Sequence, residues 1–220
     1  MIALLWASVA LAATVVVGTA PSVGPSEVGE TWVEGTVATG ISRAVADLDA
    51  RVRPGVGVRA GWTPTERWML RADAAFGSAW TPCVDCGAGG LVATARYTLA
   101  HRSHFRFAPT AFGQLWKGGS ATVVDGGLGF AMAAGGGPVW VDLSAPLWGT
   151  DDAVDLMSTL GEVGVTARYL DRHSTRLALQ GYPMRPVVAH RVGTDRGWVQ
   201  VGVRPLGMSP GMSAAVGRVW

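Results

Sequence analysis

Beyond its first 20 residues the sequence holds no apolar run long enough for a membrane-crossing helix, which needs about 20 consecutive apolar residues. Charge is scarce as well. Asp, Glu, Lys and Arg make up 15% of the 220 residues, against roughly 25% in an ordinary soluble domain. A basic stripe with interleaved aromatics is missing, which excludes nucleic acid as a partner. Cysteine is limited to Cys83 and Cys86, in the stretch Trp80-Thr81-Pro82-Cys83-Val84-Asp85-Cys86-Gly87. One such pair cannot complete a zinc site, and no histidine lies near it in sequence. It sits in a Gly- and Pro-containing loop, so a loop-stiffening disulfide in an oxidising compartment is the expected state.

What is plentiful points one way. Hydrophobic residues are 49% of the chain, with 31 Gly and 10 Trp. Glycine stands well above the ~7% average; helices tolerate it badly, whereas tight turns and close-packed walls of strands use it. Indole rings collect at membrane–water boundaries.

Residues 1–20, MIALLWASVALAATVVVGTA, form a continuous apolar run ending in small residues, the pattern of an export signal. No Lys or Arg precedes the run, and two small-residue stretches, Ala10-Leu11-Ala12 and Gly18-Thr19-Ala20, compete as its end. An uncleaved helical anchor is the rival reading. The expected organisation is a signal segment over 1–20, a short linker over 21–31 and a single domain over 32–220.

That domain alternates with period two, the pattern of strands. In Trp68–Gly77 one face carries Trp68, Leu70, Ala72, Ala74 and Phe76, the other Met69, Arg71, Asp73 and Ala75. In Leu91–Leu99 the apolar set Leu91, Ala93, Ala95, Tyr97 and Leu99 opposes Thr94, Arg96 and Thr98. Val163, Val165, Ala167 and Tyr169 oppose Glu162, Thr166 and Arg168; Val199, Val201 and Val203 oppose Gln200 and Arg204. Less regular candidates include Trp32–Gly40, with Glu34 on its polar face, and Phe105–Trp116, where Pro109 predicts a bulge or kink. Tight links such as Thr63-Pro64-Thr65-Glu66, His101-Arg102-Ser103 and Gly135-Gly136-Gly137 alternate with mostly longer ones. The count is about twelve antiparallel strands; short links at Lys117–Ser120 and Pro183–Pro186 leave ten open.

Alternation alone does not say which face meets water. The polar faces are full of small residues and sparse in lysine, unlike a solvent-facing surface, which is usually about a quarter to a third charged. Trp62, Trp68, Tyr97, Tyr169 and Trp220 sit at segment ends, where interfacial girdles form. Strands of membrane length, apolar on one side and polar on the other, predict an all-β antiparallel transmembrane barrel with lipid outside and a polar lumen. A secreted soluble barrel that binds a small ligand, with its oily side inward, is the competing architecture.

With its export-like start, alternating segments and last strand Met212–Trp220 ending in an aromatic, the chain resembles Gram-negative outer-membrane β-barrel proteins over nearly all of its mature length. The resemblance is one of architecture and reaches no subfamily, so it carries no substrate site. It implies residence in outer-membrane lipid and delivery by barrel-insertion machinery, with Trp220 as the insertion signal.

The register places Arg59, Arg71, Asp73, Arg96, Arg106, Asp125, Asp142, Glu162, Arg168, Arg176 and Arg204 on the lumen side. Their slight cationic excess favours anionic solutes or ions; their interleaving equally suits pairs that stiffen the wall. A passive pore or a structural surface protein is the expected function. A barrel hydrolase acting on lipid or peptide needs a nucleophile with a positioned base, and His190 has no evident acid or serine partner by spacing. The acidic run Asp151-Asp152 and Asp155 reads as a solvated loop. Gly126-Gly127-Leu128-Gly129 opens no helix and is not a phosphate cradle. No cofactor or metal is called for.

Overall fold

The computed structural model describes residues 29–42, 51–77, 88–118, 121–149, 161–180, 185–204 and 211–220. The export-like segment, the Cys83–Cys86 loop and the Asp151–Asp155 stretch lie outside the described residues. Thirteen strands run through the rest: β1 (Thr31–Ser42), β2 (Arg51–Trp62), β3 (Trp68–Gly77), β4 (Ala88–Tyr97), β5 (Ala100–Arg102), β6 (Phe105–Gly118), β7 (Ala121–Gly136), β8 (Val139–Gly149), β9 (Glu162–Tyr169), β10 (His173–Gln180), β11 (Arg185–Thr194), β12 (Gly197–Arg204) and β13 (Gly211–Val219).

Apart from β4 and β5, each strand bonds antiparallel to its sequence neighbours, and the series closes where β1 pairs with β13. The segments β4 and β5 lie end to end along the same edge of β6, so the wall is a closed barrel of twelve staves. The pairs Gly118↔Ala121 and Gln180↔Arg185 carry β6–β7 and β10–β11 almost to their outer links. Those two links are therefore short hairpin connections within a twelve-stave wall, and the ten-strand alternative falls.

Tight turns gather at one end of the barrel, together with Glu30 and Trp220. Thr63 donates its N–H to the Glu30 carbonyl there, and Trp220 exchanges backbone hydrogen bonds with Thr31. The β7–β8 turn is Gly137-Pro138, with Gly137 at φ +57°; a type II′ hairpin turn wants glycine at that position. It therefore falls one residue beyond the Gly135-Gly136-Gly137 predicted from composition, because Gly135 and Gly136 still pair with Trp140 and Val139.

Two irregularities interrupt the ladders. Pro109 pairs without a break to β7, but on its other side the register slips by one residue between Arg96↔Thr110 and Ala100↔Phe107, a bulge as the sequence predicts. Proline lacks the N–H that a ladder needs, and the cost falls on the other neighbour: β4 and β5 are interrupted at Thr98 and Leu99, beside Pro109. A second bulge lies in β8, where Leu128 faces Trp148 but Gly129 faces Pro146. Leu147 is the extra residue, so Leu147 and Trp148 both point out of the wall.

Polarity is distributed inside-out. Val58, Leu128, Val141, Val165, Leu177 and Val201 are all exposed on the outer face, at 41–56%. Arg59, Asp73, Asp142 and Arg176 point inward and are buried. A water-soluble barrel would reverse this, so the oily-side-inward alternative is corrected: leucine and valine cover the outside and the charges are enclosed. Trp62, Trp68, Tyr169 and Trp220 stay exposed at the turn end, with Trp68 and Tyr97 in ring contact at 4.9 Å. Arg218, whose parity also points it outward, lies over the Trp220 ring at 5.6 Å, a cation–π contact at the boundary level.

Candidate functional site: a charge-latched lumen

Strand alternation aims every second side chain inward, and antiparallel register decides which of them meet. Glu34, Arg59 and Asp73 are directly opposed across β1, β2 and β3. Arg59 donates to Glu34 Oε1 at 3.1 Å and also pairs with Asp73. Arg71 donates to the second Asp73 oxygen at 2.7 Å. The far oxygen of Glu34 accepts from the Trp198 indole at 2.7 Å and lies 3.5 Å from Arg191. Arg191 in turn donates to Gln200 at 3.0 Å and stacks over the Trp198 ring at 4.7 Å. This first cluster holds three cations and two carboxylates; Glu34 and Arg59 are each only 1% exposed.

A second cluster occupies β8–β10. Arg176 engages both Asp142 oxygens, binds Glu162, and donates to Thr166 Oγ1 at 3.0 Å. It holds one cation and two carboxylates, so its formal charge of −1 offsets the +1 of the first. Fork-to-fork pairing of this kind is strong and geometrically specific. Removing one partner from such a buried pair costs about 3–5 kcal/mol.

Small residues make the room. The inward positions Ala38, Ala75, Ala108, Ala131, Ala133, Ala178, Ala189 and Ala215 are all buried. Two inward indoles lie against glycines of the adjacent strand: a Cβ at Gly61 would fall 2.4 Å from Trp32, and one at Gly217 would fall 2.1 Å from Trp198. Trp32 and Trp198 meet edge-on at 5.9 Å. Above the clusters, toward the turn end, lies a cavity of about 410 Å³ lined by Trp32, Arg71, Arg168, Arg172, Arg191 and Trp198 among others.

The other sequence-predicted positions fall around these clusters. Arg96, inward on β4 and 7% exposed, has no carboxylate within ion-pair distance among the described residues. Arg106 is half-buried beneath the Trp140 ring at 5.3 Å. Arg168 is exposed in the cavity. Asp125 pairs with Gln114 and Arg204 with Gly211 along the backbone; their side chains, like Cys83 and Cys86, are outside the described residues. Outside the wall, in the β2–β3 turn, Arg67 donates to the Tyr97 hydroxyl at 3.1 Å, a bond that raises its pKa above the ordinary arginine value.

Sequence reasoning missed Arg191, Trp198, Trp32 and Gln200 as members of the first cluster. The signal was present for Arg191: Val188 and Val192 share the outward parity of β11, which leaves Ala189 and Arg191 inward. For Trp32 and Trp198 the signal was parity too, since they alternate in step with Glu34 and Gln200.

The wall geometry can be set beside known structures. No family model matches the sequence, and no curated protein is similar to it. Solved structures do match. A KdgM porin in complex with disordered oligogalacturonate aligns at TM-score 0.56 and 11% identity, over 86% of this chain and 98% of that one. An outer membrane channel from Pseudomonas putida F1 aligns at TM-score 0.56 and 13% identity, over 92% and 99%. The fold is that of an outer-membrane β-barrel. Outer membrane phospholipase A from Escherichia coli is similar at TM-score 0.52 and 10% identity, over 85% and 91%. At such identities the likeness reaches the architecture, and pores and an enzyme share it.

Proposed function

We propose that the chain resides in the outer membrane of a Gram-negative cell and works as a narrow passive pore for ions or small solutes, without catalysis. The observation that carries this reading is the lumen itself: two nearly cancelling ion-pair clusters narrow it, beneath a cation-rich cavity open at the turn end. Among the described residues Arg96 and Arg168 form no ion pair, and their charge favours anions. In this reading the apolar outer face contacts lipid, and the ending Met212–Trp220 is what the insertion machinery reads. Replacing Trp220 with Ala then lowers the yield of inserted barrel.

Conductance across a planar bilayer is the test. The expected result is small, anion-preferring conductance that moves toward cations in Arg96→Glu and Arg168→Glu. The depth of burial of Glu34, Arg59 and Asp73 favours a second reading, a filled structural barrel. Silence at all voltages, persisting in Arg59→Ala, would decide for that reading.

A further inference from the structure

Four polar side chains meet on the outer wall, at the turn end, where the alternation should supply only apolar ones. Tyr169 ends β9, His173 and Thr175 begin β10, and His190 lies in β11. By parity they share the outward face with Val165, Leu177 and Val188. Thr175 and His190 are opposed across the ladder, and His173 faces Val192, which sets the two histidines diagonal to one another. Nδ1 of His173 is 3.3 Å from Nε2 of His190, with ring centroids 5.5 Å apart. On its other side, His190 Nδ1 meets the Tyr169 hydroxyl at 3.1 Å and Thr175 Oγ1 at 3.0 Å. Tyr169 and Thr175 also hydrogen-bond each other at 2.9 Å.

We propose that His173 and His190 chelate one late first-row divalent cation, of the class of zinc, copper or nickel, at this rim. Two imidazole nitrogens bound tetrahedrally at about 2.0–2.1 Å lie roughly 3.3–3.4 Å apart, the separation found here. Imidazole suits these metals over calcium or magnesium. The two hydroxyls orient His190: when Nδ1–H donates to them, the lone pair of Nε2 points at His173. His173 then needs only to carry its proton on Nε2 for both facing nitrogens to be free. Such partners on the far nitrogen fix the tautomer of a ligating histidine. Two tetrahedral positions remain for water. By parity the four side chains face away from the lumen, His173 bordering the cavity at its turn end, and the site does not depend on the pore reading.

The test uses the full chain, untagged, refolded in detergent with Cys83→Ser and Cys86→Ser to remove competing thiolates. Calorimetric titration with zinc chloride is expected to show one saturable site per chain. Copper(II) electron paramagnetic resonance is expected to show coupling to two imidazole nitrogens. His173→Gln and His190→Gln should each weaken binding about 100-fold, the gain that linking two ligands supplies. Tyr169→Phe, which removes only an orienting hydroxyl, should weaken it about 10-fold. His101→Gln and His104→Gln should leave it unchanged. Absence of saturable binding by the folded parent, coupling to a single nitrogen, or binding that survives the His173→Gln, His190→Gln double variant would overturn the proposal. The spectroscopic arm needs only the parent protein, so it decides even where a variant fails to fold.

Discussion

Arg176 reaches Asp142 by lying across Gly164: a Cβ at position 164 would fall 2.5 Å from the Arg176 guanidinium. The approach is possible because Gly164 stands between the two, opposite Asp142 on one side and Ala178 on the other. Arg176 is held at its far end by two carboxylates, so it cannot swing aside without loosening them. Gly164→Ala should therefore destabilise the barrel by roughly 1–3 kcal/mol, as overpacking does. Urea titration of the folded protein in detergent checks this. Gly35→Ala, on the outer face with nothing within 4 Å, should be close to neutral in the same assay.

Arg59 links Glu34 to Asp73. Arg59→Met should cost about 3–5 kcal/mol, because it strips a buried cation from two buried carboxylates. The loss should be smaller when Glu34→Gln is present as well, with a coupling of about 0.5–3 kcal/mol in a double-mutant cycle. Additive losses would mean that the 3.1 Å contact contributes nothing to stability.

Charge placed on the outer face should cost according to depth. Val58 sits in the middle half of β2 and Trp62 at its turn end. Val58→Arg is expected to destabilise by about 2–4 kcal/mol and Trp62→Arg by about 0–1 kcal/mol, the midplane and boundary values for barrel walls. Equal costs at the two positions would place both in one environment and contradict a lipid-covered wall.

Single cysteines along β4, introduced after removing Cys83 and Cys86, should report the alternation directly. Positions 91, 93 and 95 are expected to react with a lipid-soluble reagent. Positions 92 and 94 should resist it, since Val92 is inward and 1% exposed. Continuous labelling would remove the two-sided wall.

The architecture was legible because lipid and lumen impose opposite demands on alternate residues, and that demand is written locally. Leu128, Val141 and Val165 can be placed outward, and Arg59 and Arg176 inward, from parity alone. Pair identity is a different matter. Arg176 meets Asp142 across 34 positions and Arg191 approaches Glu34 across 157; such meetings depend on register summed over several hairpins, which no local pattern specifies. Trp32 and Trp198 share the inward parity of Glu34 and Gln200, but the room they occupy comes from Gly61 and Gly217 opposite them, a relationship between strands rather than within one. Pro109 marks the place of a bulge in the sequence, but which neighbouring strand takes it up is set by register.

The nine-residue seam from Trp32↔Val219 to Gly40↔Gly211 joins partners from opposite ends of the described chain. Contacts so distant in sequence form late and slowly. Every hairpin before them leaves a raw margin at each side of a curling sheet, and such margins invite pairing with other polypeptides. The final stave is thus the clasp of the ring: until it engages, neither the grease-coated exterior nor the imprisoned ions have a stable home.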